Sequence, residues 1–252
     1  MNGYPTAHTA HTAYVPPAPA PVTPALATRG LVKTYGTTTA LAGVDLDLYP
    51  GESVAVMGAS GSGKTTLLHC LAGVIRPDSG EVRLATPAGP VVVSDLGETQ
   101  RSRLRREQFG FVFQEGLLIP ELTATENVAL ALMLSGVARS AAEQSAVGWL
   151  RALGLAGMED RRIGQLSGGQ AQRVAIARAQ VTGARVIFAD EPTGALDSRT
   201  SAEVMDVLVQ ASAGTGRTLV VVTHDDDVAA RCGRTVHLRD GRVVADTRGR
   251  TR

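Results

Sequence analysis

Lysine is nearly missing from this sequence: of 25 basic residues only Lys33 and Lys64 are lysine, and the rest are arginine. A lysine here therefore marks a place where a compact ammonium suits the chemistry better than a planar guanidinium. Cysteine is scarce too. Cys70 and Cys232 cannot build a disulfide framework, so the fold is expected to rest on its core, in a reducing compartment. Neither sign of charge dominates: 25 basic against 24 acidic residues leave a formal net charge of +1, without the basic excess of a dedicated nucleic-acid binder, and no nucleic acid is expected as partner. No window approaches the roughly 18 consecutive apolar residues of a membrane span. The first 28 residues lack Lys, Arg, Asp and Glu altogether and hold Pro5, Pro16, Pro17, Pro19, Pro21 and Pro24. Proline removes backbone donors and disfavours helix before it, so residues 1–26 are expected to form an extended tail. A secretory leader is not expected, because a basic start and an uninterrupted apolar stretch are missing.

What is present reads as an ordinary globular chain, 44% hydrophobic and 19% charged. At about 150 residues per domain, 252 residues suggest one large domain or a core with an inserted lobe. From about Ala27, short strands alternate with helices: strands over 30–35, 44–49 and 53–57, a helix over 64–72, and strands over 109–113, 185–189 and 219–222. The helix over 198–211 carries Val204, Val207, Leu208 and Ala211 on one face. Asp240-Gly241 between apolar runs predicts a two-residue hairpin and hence an antiparallel edge. Thr123 with Glu126 and Ser140 with Glu143 read as two capping boxes opening helices, and Gly154 as the stop of the second. A helical lobe is thus inserted between two strands, over about 115–180.

Gly58-Ala59-Ser60-Gly61-Ser62-Gly63-Lys64-Thr65, followed by Thr66, matches G-x-x-x-x-G-K-[ST] between an apolar strand and a helix. The glycines let successive N–H groups turn toward a phosphate chain, and the helix start adds positive potential. Lys64 should reach the β- and γ-phosphates of ATP and Thr65 should offer its hydroxyl to Mg²⁺. Val186 to Glu191 is an apolar strand that delivers two carboxylates at its C-terminal end, where open α/β sheets bind ligands. Asp190 is the candidate for Mg²⁺ and Glu191 for the base that takes a proton from water.

Leu166-Ser167-Gly168-Gly169-Gln170 resembles the signature of ATP-binding-cassette (ABC) ATPases. Ser167 can cap the following helix and leave a hydroxyl and glycine N–H groups facing an anion. The resemblance implies that this second anion site, with Gly168, Gly169 and Gln170, meets the nucleotide held by another copy, giving a homodimer with two sandwiched ATPs. In the same family's order, Tyr35 resembles the aromatic that stacks on adenine. Gln114, after Phe111-Val112-Phe113, resembles a glutamine that senses Mg²⁺ and the attacking water beside a partner-docking groove. Asp197 looks like the aspartate that contacts the opposite subunit, and His224 resembles the switch histidine on the γ-phosphate. The resemblance covers residues 27–247 and implies a P-loop NTPase: a RecA-like α/β core with an antiparallel β region and the inserted α-helical subdomain.

Phe109 to Gln114, Leu118-Ile119-Pro120, Leu122-Thr123-Ala124 and Asp190 to Gly194 are similar to the subgroup of macrolide-exporter, lipoprotein-releasing and cell-division ATPases. That implies separate integral-membrane permease subunits, a peripheral place on the cytoplasmic face of the membrane, and export or extraction of a lipid-linked, peptide or hydrophobic substrate. An engine that drives a membrane-protein regulator of cell-wall enzymes stays open. A small-molecule kinase would share the phosphate loop but has no use for Leu166 to Gln170, and a ribosome or DNA ATPase would usually carry two cassettes or further inserts. Arg101, Arg103, Arg105 and Arg106 are expected to be a solvated face, residues 248–252 a basic tail, and Cys70 a core residue.

Overall fold

Along the chain, β1 (Leu26–Tyr35) and β2 (Thr38–Leu48) form a hairpin, and β3 (Ser53–Met57) runs into α1 (Lys64–Leu71). A second hairpin, β4 (Ser79–Thr86) and β5 (Gly89–Val92), is followed by α2 (Glu98–Gln108) and β6 (Phe109–Phe113). Three helices come next, α3 (Ala124–Met133), α4 (Arg139–Ala152) and α5 (Gly168–Gln180). The chain then returns through β7 (Val186–Asp190), α6 (Ser198–Ser212), β8 (Thr218–Thr223), α7 (Asp226–Ala229), β9 (Arg234–Arg239) and β10 (Arg242–Asp246). This computed structural model describes residues 23–249, so most of the expected N-terminal tail, and Arg250 and Arg252, lie outside the described residues.

The strands sort into two sheets. β2-β1-β4-β5 is antiparallel, while β10-β9-β3-β8-β7-β6 is parallel except for its edge hairpin at Asp240-Gly241. The parallel strands β3, β7 and β8 carry polar residues only at their ends, with Val, Ile, Leu, Ala and Phe at their centres, as strands covered on both faces must. One core lies between the two sheets and α1, with Leu67, Leu68, Leu71 and Phe188 among its members. Phe188 meets Phe109 edge-on at 5.3 Å and Phe111 at 5.8 Å, which pins β6 to β7. A second core joins the helical lobe to the other face of the sheet through small residues, Ala142, Ala146, Ala177 and Ala189, that let helices approach closely. The α/β architecture with a RecA-like core, an antiparallel β region and an inserted helical subdomain is as expected.

Local differences have physical causes. Sequence patterning assigns no element to 79–108, where the structure has β4, β5 and α2. The Ser140 capping box does not form: α4 begins at Arg139, its N-cap Ala138 has no side-chain cap, and Glu143 instead accepts from Arg139 Nε at 2.6 Å. The Arg101 to Arg106 run is only partly a solvated face. Arg103 is exposed, but Arg101 and Arg105 bridge to Glu98 at 2.6 and 2.8 Å, and Arg105 also donates to the Gly73 carbonyl at 2.7 Å. Arg248, expected in the tail, lies over the Tyr49 ring at 3.3 Å.

Candidate functional site

β3 sits between β9 and β8, so the glycine-rich loop leaves the sheet near its middle. The loop is packed too closely for any side chain at two of its glycines. A Cβ on Gly58 would lie 2.2 Å from the Leu238 carbonyl oxygen, and one on Gly63, whose φ is +102°, 2.2 Å from that of Ala40. Backbone, not side chain, therefore lines the turn. Lys64 is 9% exposed and its ammonium is held by the carbonyls of Gly58 and Ala59, at 2.7 and 3.0 Å. Those partners are neutral, so the cation stays uncompensated, and Ser62 Oγ is buried there with no partner. Both observations fit a polyanion in the loop.

Tyr35, Ala59, Ser60, Gly61, Gly63, Lys64, Thr65 and Thr66 share one cleft of about 650 Å³ with Glu191 and His224. Tyr35 stands at the end of β1, 47% exposed, at the mouth of that cleft. Thr65 Oγ1 lies 3.4 Å from Asp190 Oδ1, and burial pushes the Asp190 carboxyl above the usual carboxylate range. The Thr65 hydroxyl and the Asp190 carboxylate are hard oxygen donors of the kind Mg²⁺ takes, and the pair fits that ion, while Gln114 lies outside this cleft.

Glu191 follows β7 with φ +46°, a left-handed conformation that strains a residue with a Cβ. In that conformation its carboxylate meets the end of β8. Thr223 Oγ1 donates to Oε2 at 3.3 Å, and His224 Nδ1 lies 2.7 Å from Oε1. That contact with the carboxylate raises the His224 pKa above its usual 6.5. The ring that the resemblance assigns to a γ-phosphate thus rests on Glu191. A second cavity of about 550 Å³ lies beyond the same two residues, toward Gly194, Ser198 and Asp225.

The remaining candidates lie outside the cleft. Ser167 caps α5, accepting from the Gln170 N–H at 3.3 Å while Gln170 Oε1 accepts from the Ser167 N–H at 2.9 Å. Asp197 caps α6, and hydrogen bonds led by the Thr200 hydroxyl at 2.7 Å hold its carboxyl below the usual range. The two caps are neighbours. A Cβ on Gly168 would approach Leu196 Cδ2 at 2.9 Å, and one on Gly169 would approach Thr200 Cγ2 at 2.5 Å. Gln114, exposed just after β6, packs its amide where a Cβ on Gly194 would come within 3.0 Å. Sequence reasoning missed Thr223, Gln172 and Asn127. Gln172 donates to the carbonyls of Phe113 and Pro192, and Asn127 grips the turn before α3 by accepting from the Ile119 N–H and donating to the Ile119 carbonyl. Their signal was a polar residue inside an otherwise apolar helical stripe. Among the described residues no group of three or more His, Cys, Asp or Glu could hold a metal.

With this geometry in view, the likenesses to known proteins are direct. A family profile described as ABC transporter matches residues 41–194. The macrolide export ATP-binding/permease protein MacB of Nitrosomonas europaea is 47% identical over 229 residues, 89% of this chain and 34% of that protein. The pyoverdine export ATP-binding/permease protein PvdT of Pseudomonas syringae pv. tomato is 45% identical over 230 residues, again 89% and 34%. The chain thus spans about a third of the length of these curated relatives. Among solved structures, the dimeric ATP-binding cassette MJ0796 in a post-hydrolysis state, bound to ADP and Pi, matches with a TM-score of 0.79 and 37% identity, covering 90% of this chain and 100% of that one.

Proposed function

This chain belongs to the ABC transporter family and is one of its ATP-hydrolysing cassettes; from that premise we propose that two copies close on two ATP molecules and drive separate integral-membrane permease subunits. The observation that carries the reading is the split between the sites. The loop, Lys64, Glu191 and His224 share one cleft, while the Ser167 helix end lies outside it. Within one copy the two sites do not share a cleft, and a second copy arranged head to tail would bring them to one phosphate.

In this reading the loop N–H groups cradle the phosphates, and the Lys64 ammonium exchanges two carbonyls for charged oxygens. Thr65, Asp190 and Gln114 would hold Mg²⁺, which would supply charge neutralisation at the β- and γ-phosphate oxygens. Glu191 is the general base. Its carboxylate is aimed by Thr223 and His224, takes the proton of the attacking water, and needs no further covalent chemistry. His224 moves between Glu191 and the terminal phosphate, and Tyr35 stacks on the base. Ser167, Gly168, Gly169, Gln170 and Asp197 serve the partner's nucleotide.

No helix among the described residues is long and apolar enough to cross a membrane. In this reading the permease meets the cassette at a surface, and the apolar groove beside the Gln114 turn, with Phe111, Phe113, Leu117, Leu134 and Arg178, fits a docking segment. The macrolide and pyoverdine exporters among its relatives favour export of a hydrophobic or peptide-like substrate from a cytoplasmic, membrane-peripheral position. Light scattering tests the engine. Glu191→Gln with saturating ATP and Mg²⁺ is expected to run as a dimer and without nucleotide as a monomer; a variant that stays monomeric in ATP overturns the sandwich.

A further inference from the structure

The signature helix α5 reaches back into the catalytic centre through one buried side chain. Gln172, five positions after Ser167, is 4% exposed. Its Nε2 donates to the carbonyl of Phe113 at 2.8 Å and to that of Pro192 at 2.6 Å. Phe113 immediately precedes Gln114, and Pro192 immediately follows Glu191. A primary amide has two N–H donors, so both are spent on these two turns.

The far side of the Gln114 turn is held from the same helix. Arg178 donates to the carbonyls of Gly116 and Leu117, at 2.6 and 2.7 Å, just where both residues have positive φ. Burying an amide is costly unless every polar group is matched. An apolar side chain would fill the same space without that demand, so the amide specifies position.

We propose that Gln172 is a positioning residue that makes the Gln114 turn and the Glu191 turn one body with the helix headed by Ser167, so that hydrolysis answers to the engagement of that helix. The assignment rests on the proposed roles of Glu191 and Gln114. Gln172 lines neither the nucleotide cleft nor the cavity beyond it. Its removal should therefore leave nucleotide binding intact and act on the chemical step, where misplacement by about 1 Å costs on the order of 10²-fold.

The test compares Gln172→Met, which keeps length without donors, and Gln172→Glu, which sets an acceptor against two carbonyls. In Gln172→Met, kcat for ATP hydrolysis is expected to fall roughly 10- to 100-fold with KM for ATP within about twofold. In Gln172→Glu, the loss relative to wild type should shrink as pH is lowered from about 8 to about 6, because a protonated carboxyl regains one donor. Wild-type kcat in both variants overturns the assignment. So does a parallel loss of kcat and ATP affinity with a lowered Tm and no pH response, which is the signature of a merely structural amide. Glu191→Gln, run beside them, keeps the two ideas apart: if it is inactive while Gln172→Met is normal, only the Gln172 assignment fails, and if it hydrolyses ATP normally the catalytic site itself is misassigned.

Discussion

Lys64 shows how much chemistry one side chain can carry when its surroundings leave it uncompensated. Its ammonium donates to two carbonyls and makes no ion pair among the described residues, so a bound triphosphate meets a cation ready to pair. Lys64→Ala is expected to weaken nucleotide binding by about 1.5–3 kcal/mol, the range for hydrogen bonds to charged groups, and a fluorescent ATP titration reads the loss as roughly 10- to 150-fold. His224 gives a second residue-level prediction. Its hydrogen bond to Glu191 raises its pKa above 6.5, so the contact is fully present below that pH and is lost as pH rises through the elevated midpoint. An NMR titration should show the His224 midpoint falling toward 6.5 in Glu191→Gln; an unchanged midpoint would mean that another group holds it. The phosphate loop and the two carboxylates after β7 were legible from residues adjacent in sequence, whereas Tyr35, Gln114, Asp197 and His224 were placed by the family resemblance. Thr223 was not legible, since its hydroxyl finds Glu191 only when β7 and β8 pair.

Helix starts separate two sequence signals that look alike. Thr123 and Glu126 make the reciprocal bonds of a capping box, at 3.1 and 3.0 Å, whereas Ser140 caps nothing. Thr123→Ala is therefore expected to lower stability by ~1 kcal/mol, and Ser140→Ala to leave it within a few tenths, measured by urea unfolding. The misreading at Ser140 has a plain cause. Arg139 binds both Glu143 and Glu126, and that charged contact takes the acceptor a serine cap would have used. The parallel strands were readable from unbroken apolar runs. The elements over 79–108 were not, because β4 buries only Val82 and Leu84 among exposed and half-buried residues, β5 has four residues with a proline among them, and α2 buries no residue fully. Gln172 and Gln180 lie on the covered face of α5, where a polar residue in an apolar stripe marks a specific partner.

The whole molecule is sewn together at its C-terminal side. Arg234, nearly buried on β9, donates to Asp246 at 2.9 and 2.7 Å, to Glu52 at 3.0 Å and to the Asp47 carbonyl at 2.7 Å, joining both sheets. The Arg234 hydrogen bonds hold Asp246 below the usual 3.8, so this clamp contributes stability above that pH and loses it as pH falls through the depressed midpoint. Arg234→Met should cost about 1–3 kcal/mol at neutral pH and flatten the acid limb of the stability profile, as followed by circular dichroism. The placement of β3 has a further consequence for how the chain is made. The strand that launches the phosphate loop is flanked by two that emerge from the ribosome about 165 and 180 residues later, and the loop leans on the Leu238 carbonyl and receives a hydrogen bond at the Ser62 carbonyl from the Gly241 N–H. During synthesis the loop can assume its working shape only once the β9–β10 hairpin is in place, so a nascent chain does not hold nucleotide until that hairpin has emerged.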